Sequence, residues 1–317
     1  MATPAMQRAP SLPCATTVIS VQDTLGAPLG PPFSSHQERA LWLCSQLESA
    51  NILFFPRTPF RIPPEDREFL LNQRQTRHAY HKNIAYRPLE GRLTGLKNAS
   101  APEAGRLLAI LRSYSERVTQ FLTELLPPYA GRWRRDFASF RPIEERDRLA
   151  RTRVRNDLPH VDAFPTRPTN GGRILRFFTN LNPTHNRVWI TSEPFHVLAV
   201  RFAQQVGIPR RRSNGLISSI LRAVDWPGAN RSGYDRFMHH FHNFLKENAR
   251  FQAECPKQRW EFPPDSTWLV FADIVSHAVM EGQFALEQTF IISREAMVLP
   301  EQAPVSILEK LAGYPLT

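Results

Sequence analysis

The sequence predicts an α+β protein in which an N-terminal helical layer precedes a β core, and a helical insertion interrupts that core. Helical periodicity dominates residues 34–150, and β-rich runs bounded by turn residues begin near residue 151. Residues 194–255 return to helical spacing between two of those runs. The chain has 317 residues, 42% of them hydrophobic, which is enough apolar material for one such domain over residues 34–317.

The elements before residue 150 are predicted from capping and proline signals. Residues 1–33 contain six prolines and form a partly mobile arm that holds one short strand at residues 17–21. Ser35 and Glu38 form a capping box that opens a helix through about residue 48. A buried strand at residues 52–55 ends at Pro56, and a second helix begins after Pro63 and Pro64. The longest helix is expected over residues 104–126, where leucines repeat at helical spacing.

The elements after residue 150 are predicted from alternation and turn residues. The expected strands cover residues 173–181, 188–191, 267–271 and 288–292. The helices of the insertion are expected at residues 195–205, 216–224 and 234–255. The sequence therefore predicts a β core over residues 151–300 with its helical insertion at about 194–255.

The net charge indicates which molecules the protein binds, and the cysteine content indicates the cell compartment in which it resides. The formal net charge is +11, and arginine accounts for 35 of the 40 cationic residues. A guanidinium matches carboxylate and phosphate oxygens, so anionic partners are expected: nucleic acid, anionic lipid head groups or acidic sugars. The chain has no apolar segment typical of a secretory signal or a membrane span, and its three cysteines are odd in number. We therefore expect a cytoplasmic protein.

One motif predicts a metal centre. His160 and Asp162 flank Val161, and His277 follows 115 residues after Asp162. Residues i and i+2 of an extended strand point the same way, so His160 and Asp162 can reach one metal ion. Two imidazoles and one carboxylate form the facial triad of non-haem Fe(II) oxygenases, which leaves three positions for an oxo acid and dioxygen. The turn and strand before His277 resemble the surroundings of the second metal histidine in the Fe(II)/2-oxoglutarate dioxygenase superfamily.

Five longer runs resemble one family of that superfamily, the 3-deoxy-D-manno-oct-2-ulosonic acid (Kdo) hydroxylases. They are Asn51-Ile-Leu-Phe-Phe-Pro-Arg-Thr-Pro-Phe60, Tyr80-His-Lys-Asn-Ile-Ala-Tyr-Arg-Pro88, His160-Val-Asp-Ala-Phe-Pro-Thr-Arg-Pro168, Arg176-Phe-Phe-Thr-Asn-Leu-Asn-Pro183 and Gly282-Gln-Phe-Ala-Leu-Glu-Gln-Thr-Phe290. The resemblance implies a double-stranded β-helix, that is, a jelly-roll or cupin-like core. It also implies Fe(II), with 2-oxoglutarate and O2 as cosubstrates, and hydroxylation at C3 of a Kdo sugar on Kdo-lipid A, a modification of the lipopolysaccharide inner core.

The residue that binds 2-oxoglutarate departs from the common superfamily pattern. Many members place an arginine about ten residues after the distal histidine, but this chain has Leu286-Glu-Gln-Thr289 there. Other branches place a basic residue on the strand after the HxD motif. Alternation sets Arg176 and Asn180 on one face of that strand, so we expect both to face the cosubstrate. Arg173, Arg187 and Arg294 remain the alternatives.

The substrate and its location follow from charge and from the resemblance. Four arginines flank the HxD motif and are candidates for the Kdo carboxylate or for lipid A phosphates: Arg151, Arg153, Arg155 and Arg167. A basic protein that acts on a lipid-linked sugar is expected to contact the anionic inner face of the bacterial inner membrane peripherally. No nucleic-acid partner is expected under this interpretation.

Two other functions and three other clusters remain open at the level of sequence. The same iron chemistry on a nucleic-acid base or a protein side chain also fits the basic charge. A non-enzymatic sugar-binding β-barrel is the alternative from another class. The other clusters are read as structural or solvated: His239 with His240 and His242, His78 with His81, and the arginines at residues 210–212.

Overall fold

The computed structural model describes residues 15–21, 33–73, 83–96, 99–146, 151–208 and 231–317. The predicted helix at residues 216–224, His78, His81 and the arginines at 210–212 lie outside these ranges. The partly mobile arm predicted over residues 1–33 lies mostly outside them as well.

Seven α-helices lie in the described ranges. They are α1 (His36–Glu48), α2 (Pro64–Leu71), α3 (Ala101–Leu125), α4 (Phe195–Val206), α5 (Gly233–Glu247), α6 (Ala249–Glu254) and α7 (Pro304–Ala312). Ser35 caps α1, as predicted, by accepting a hydrogen bond from the Glu38 amide. Asn248 ends α5 and caps α6 through its side chain, so the helix predicted over residues 234–255 is two helices. None of these helices is long and apolar enough to cross a lipid bilayer.

Eleven strands lie in the same part of the chain. They are β1 (Val18–Ser20), β2 (Ile52–Phe55), β3 (Ile84–Arg87), β4 (Arg92–Thr94), β5 (Trp133–Arg141), β6 (Arg173–Asn180), β7 (Arg187–Thr191), β8 (Gln258–Phe262), β9 (Thr267–Phe271), β10 (His277–Glu281) and β11 (Ala285–Ile292). The expected strands at residues 17–21, 52–55, 173–181, 188–191, 267–271 and 288–292 are all present. The sequence analysis missed β3, β4, β5, β8 and β10.

The strands form two sheets. The major sheet has the order β1-β2-β9-β6-β11-β5-β3-β4, and the minor sheet has the order β10-β7-β8. Helices α4, α5 and α6 lie between β7 and β8 in the chain, so the predicted insertion does interrupt the β core. The N-terminal layer is not helical throughout, because β2 to β5 join the major sheet.

The HxD segment connects the two sheets instead of forming a strand. His160 and His277 form an isolated antiparallel bridge, in which each amide donates to the other residue's carbonyl oxygen at 3.1 and 2.9 Å. Two residues later, the Asp162 amide donates to the carbonyl of Ala272, just beyond β9 of the major sheet. The backbone therefore brings the predicted ligands together from distant parts of the chain.

Candidate metal centre

The structure places the three predicted ligands side by side in a buried site. Nε2 of His160 lies 3.6 Å from Oδ1 of Asp162, and the ring centroids of His160 and His277 are 4.9 Å apart. Adjacent ligands of one octahedral ion at about 2.1 Å are about 3 Å apart, so His160 and Asp162 fit one metal with little movement. All three side chains are buried.

Hydrogen bonds orient both imidazoles. Nδ1 of His160 lies 2.7 Å from the carbonyl oxygen of Leu158, and Nδ1 of His277 lies 2.9 Å from that of Val275. A carbonyl only accepts, so each Nδ1 must carry the proton and each Nε2 keeps its lone pair for a metal. Trp189 stacks on the ring of His277 with a centroid separation of 4.9 Å and fixes that ring as well.

Burial and neighbouring charges keep the donors in the states that a metal needs. Burial lowers the pKa of His277 and, together with the charge of Lys246, that of His160, so both rings are neutral at neutral pH. Burial alone would raise the pKa of Asp162. The guanidinium of Arg176 and the contact with His160 outweigh it and hold that pKa well below its usual range. The donor set, two neutral imidazoles and one carboxylate, therefore fits Fe(II).

A fourth side chain with a potential ligand atom, His242 on α5, lies beside the predicted ligands. His160, Asp162 and His242 offer potential ligand atoms that all lie within 4.8 Å of one another. The ring of His242 meets that of His160 edge to face at 4.8 Å, and its Nδ1 lies 2.7 Å from the Val161 carbonyl. Burial lowers the pKa of His242 to about 4. The interpretation of the His239, His240 and His242 cluster as structural stays a prediction, as does the choice of His277 as third ligand.

Arg176 begins a buried chain of alternating charges. Its Nε lies 2.9 Å from Oδ2 of Asp162, without hydrogen-bond alignment, and its Nη1 lies 2.9 Å from Glu287. Glu287 is held in turn by Arg141, at 2.5 and 2.9 Å. Arg141 also lies 3.8 Å from Glu145, which lies 3.8 Å from Arg187. The members of this chain, in order, are Asp162, Arg176, Glu287, Arg141, Glu145 and Arg187. Arg176 therefore joins the metal site to a second arginine, Arg141, that the sequence analysis missed.

The other predicted cosubstrate residue, Asn180, uses its side chain in local hydrogen bonds. Its amide nitrogen donates to the carbonyls of His185 and Phe262, and its oxygen accepts from the Asn182 amide. Asn180 shares a strand face with Arg176, as predicted. However, four residues of strand separate the two side chains by about 13 Å. Asn180 therefore fixes the turn after β6, and its role in cosubstrate binding stays a prediction.

The alternative cosubstrate arginines are engaged elsewhere. Arg173 is fully buried against Asp273, with Nε 2.9 Å from its carboxylate. Arg187 lies at the far end of the charge chain, and its Nη1 donates to the carbonyl of Gly282. Arg294 pairs with Glu309 on α7 at 3.0 Å. Of the four arginines considered from sequence, Arg176 is the one that touches a predicted metal ligand.

The four predicted substrate arginines fall into two groups. Arg151 is exposed, Arg153 pairs with Glu247 at 2.5 Å, and Arg155 pairs with Asp157 at 2.5 Å, all on the surface turn before His160. Arg167 differs because it stacks between two phenylalanine rings and pairs with Asp136. The substrate role of all four stays a prediction.

A buried lysine that the sequence analysis missed lies close to the metal site. Lys246 on α5 is 4% exposed, and its Nζ donates to the Arg153 carbonyl at 3.2 Å. Burial lowers its pKa to about 8, which leaves it charged at neutral pH. A lysine one turn after His242, among the apolar residues of an amphipathic helix, was the sequence signal for this position.

The two-sheet fold and a buried cluster of imidazoles with one carboxylate are typical of a mononuclear non-haem iron oxygenase. A family model described as 3-deoxy-D-manno-oct-2-ulosonic acid (Kdo) hydroxylase matches residues 33–315. The chain belongs to that family. No curated protein matches it.

Solved structures of one relative agree with the family match. The Kdo hydroxylase KdoO, a non-heme Fe(II) alpha-ketoglutarate-dependent dioxygenase, was solved with alpha-ketoglutarate and Fe(III). It is 33% identical, the match covers 95% of this chain and 97% of that chain, and the TM-score is 0.80. Its succinate complex is 33% identical, with 94% and 97% covered and a TM-score of 0.79. Its cobalt(II) complex is 32% identical with the same coverage and TM-score.

These matches confirm four predictions: the Kdo hydroxylase family, the double-stranded β-helix fold, the oxygenase class, and Fe(II) with 2-oxoglutarate as cofactor and cosubstrate. The matches also favour a Kdo sugar over a nucleic-acid base as the substrate, and an enzyme over a non-enzymatic sugar-binding β-barrel.

Proposed function

We propose that this protein hydroxylates C3 of a Kdo sugar carried by a lipid A glycolipid, with Fe(II) held by His160, Asp162 and His277. The observation that carries the proposal is the buried cluster of these three side chains, with Arg176 in contact with Asp162. Bound Fe(II) and 2-oxoglutarate supply the oxidant that inserts one atom of O2 into a C–H bond, while 2-oxoglutarate is converted to succinate and carbon dioxide.

The protein's own residues position the reactants. The backbone bridge between His160 and His277 sets the separation of the two imidazoles. Arg176 orients the Asp162 carboxylate and is the cation proposed for the C5 carboxylate of 2-oxoglutarate. Glu287 contacts both Arg176 and Arg141. It therefore fixes the plane of the Arg176 guanidinium and compensates the charge of Arg176 before the cosubstrate binds.

Lys246 is the cation proposed for the carboxylate of the Kdo sugar. That carboxylate carbon is only two bonds from C3, so its partner must lie beside the metal. Lys246 is buried, and its charge acts on both His160 and Asp162. The arginines at 151, 153 and 155 lie on the surface turn, and two of them already have local carboxylate partners. Lys246 therefore suits this role better than those three predicted arginines.

A lipid-linked substrate also accounts for the net positive charge. With a formal net charge of +11, the protein is attracted to an anionic membrane surface, where such a glycolipid resides. We expect peripheral binding at the inner face of the bacterial inner membrane. Flotation with vesicles of anionic and of neutral phospholipid tests this: binding to the anionic vesicles should weaken steeply with salt, and equal affinity for both vesicle types would contradict it.

The decisive experiment loads the protein with Fe(II) without oxygen, adds 2-oxoglutarate and then admits O2, with and without Kdo-lipid A. We expect succinate release stimulated by the glycolipid, and a mass gain of one oxygen atom on the Kdo sugar. Succinate release that ignores the glycolipid, with no mass gain, would preserve the oxygenase but refute the substrate. NMR of the product then locates the new hydroxyl group. We expect it on C3 of the Kdo sugar, and a hydroxyl on another carbon would refute the proposed position.

A further inference from the structure

A second basic feature lies at the edge of the major sheet, beyond the metal centre. The β3–β4 hairpin, β5 and the segment after Asp162 enclose a cleft of about 420 Å³. Four arginines line it, and we call it the arginine cleft: Arg87, Arg134, Arg135 and Arg167. Its hairpin residues and its β5 arginines do not belong to the site described above.

The arginine cleft carries more positive charge than its own carboxylates neutralise. Glu90 pairs with Arg87 at 2.9 Å, and Asp136 pairs with Arg167. Arg134 and Arg135 are exposed and have no side-chain partner among the residues that the structure describes. Nε of Arg87 is buried and, within the same ranges, lacks a hydrogen-bond acceptor. An anionic group in the cleft would supply the acceptors that these guanidiniums lack.

A ladder of stacked side chains connects the arginine cleft to the metal centre. It starts at Arg176, whose guanidinium carbon lies 5.6 Å from the Phe164 ring centroid. Arg167 lies 4.0 Å from that ring on one side and 3.9 Å from the Phe137 ring on the other. Arg87 then lies 4.8 Å from Phe137. Since Arg176 also contacts Asp162, the metal centre and the cleft are neighbouring sites, separated by these stacked side chains.

The spacing decides which anionic group of a ligand that reaches both sites belongs in the cleft. The carboxylate of the sugar that reacts at the metal lies only two bonds from the reacting carbon, so it is too close to the metal to reach the cleft beyond Phe164 and Phe137. An anion bound by Arg134 and Arg135 must therefore belong to a neighbouring part of the same molecule. Several arginine forks around one small cleft suit a phosphate group, which offers more acceptor oxygens than a carboxylate.

We propose that the arginine cleft binds a phosphomonoester of the glycolipid substrate and so holds the substrate at a second point beyond the reacting sugar. This inference rests on the proposed function, since it assumes a substrate larger than one sugar. It also gives Arg167, predicted from sequence as a substrate residue, a defined position between the two ends of the ligand.

The test uses the double variant R134Q/R135Q, because both side chains are exposed and their loss leaves the core intact. The matched control is R57Q/R61Q, which removes the same charge from exposed positions between β2 and α2, away from the cleft. Each protein receives a phosphorylated Kdo glycolipid and the same glycolipid after phosphatase treatment. The readouts are equilibrium binding without O2 and steady-state hydroxylation.

We expect R134Q/R135Q to raise the Kd and KM for the phosphorylated glycolipid about tenfold, with kcat unchanged. Neither value should change for the dephosphorylated glycolipid, and the control should resemble the wild type with both. Equal values for R134Q/R135Q and the wild type would overturn the proposal. Failure of the wild type to hydroxylate either glycolipid would refute the proposed function alone, because the binding arm still tests the cleft.

A third arm separates the substrate phosphate from a membrane head group. Vesicles of anionic phospholipid without glycolipid are titrated with the same three proteins. We expect R134Q/R135Q and R57Q/R61Q to lose vesicle affinity equally, since both remove two charges. A loss confined to R134Q/R135Q would show that the cleft binds phospholipid head groups, and would overturn the assignment to substrate.

Discussion

Replacement of Lys246 by methionine is expected to stabilise the protein at neutral pH. Its side chain is 4% exposed, and burial lowers its pKa to about 8. The value for an unfolded chain is about 10.4, and each unit is worth about 1.4 kcal/mol, so burial of the ammonium costs roughly 3 kcal/mol. Methionine keeps the length of the side chain but loses the hydrogen bond to the Arg153 carbonyl, worth about 1 kcal/mol. The net gain in the free energy of unfolding is about 2 kcal/mol.

The pH dependence gives this prediction a distinctive form. Because the folded-state pKa lies below the unfolded one, the unfolded chain binds more protons between about pH 8 and pH 10.5. The stability of the wild type therefore rises with pH across this window. The advantage of K246M is complete below the window, and above it K246M is less stable by about 1 kcal/mol, the value of the lost hydrogen bond. Urea unfolding at several pH values, with a chelator present to remove metal, measures the difference.

The control for K246M is K257M. Lys257 also donates to a backbone carbonyl, that of Gln252 at 2.6 Å, but it is exposed. Its replacement should change stability by less than about 1 kcal/mol, without the rise between pH 8 and 10.5. A K246M protein that is less stable than the wild type at neutral pH, or a difference that stays constant with pH, would refute the electrostatic reasoning. If Lys246 also binds the sugar carboxylate, K246M should raise the KM for the glycolipid while it stabilises the fold.

Three further predictions concern the metal centre. H277A should lose Fe(II) and Co(II) binding in equilibrium dialysis, whereas H242A should retain one equivalent, and the reverse result would make His242 the third ligand. R176Q should raise the KM for 2-oxoglutarate about 100-fold. R176K should be intermediate, because an ammonium group lacks the forked donors with which a guanidinium binds two carboxylates. An unchanged KM would show that Arg176 does not bind the cosubstrate. N180A should lower the free energy of unfolding by about 2 kcal/mol through its lost hydrogen bonds while the KM for 2-oxoglutarate stays the same.

The sequence predicted the parts of the site that depend on local pattern. His160 and Asp162 are two residues apart, so any extended backbone turns both side chains the same way. Arg176 was predicted to face the site because alternation along β6 fixes its face, and the structure places it against Asp162. The same pattern defines Asn180 less well, because alternation assigns a face but does not say how far along the strand a site extends.

The residues that the sequence analysis did not assign to the site reach it through tertiary contacts. His242 and Lys246 lie on a helix of the insertion, and only the packing of α5 against the turn before His160 brings them to the metal ligands. Glu287 and Arg141 meet across the β11 and β5 pairing. The β5 strand was itself missed, because Trp133–Arg141 holds three arginines and an aspartate that interrupt its apolar alternation.

The chain of alternating charges behind the metal centre constrains how this protein can evolve. The charges of its three carboxylates and three arginines cancel. Loss of a single member would therefore leave one buried charge without a partner, at a cost of several kcal/mol. Changes at its outer members, such as Glu145 and Arg187, are therefore expected to occur as compensating pairs. Strong epistasis should link Glu145 and Arg187 to Asp162. The orientation of the Asp162 carboxylate thus depends partly on residues that do not contact the metal.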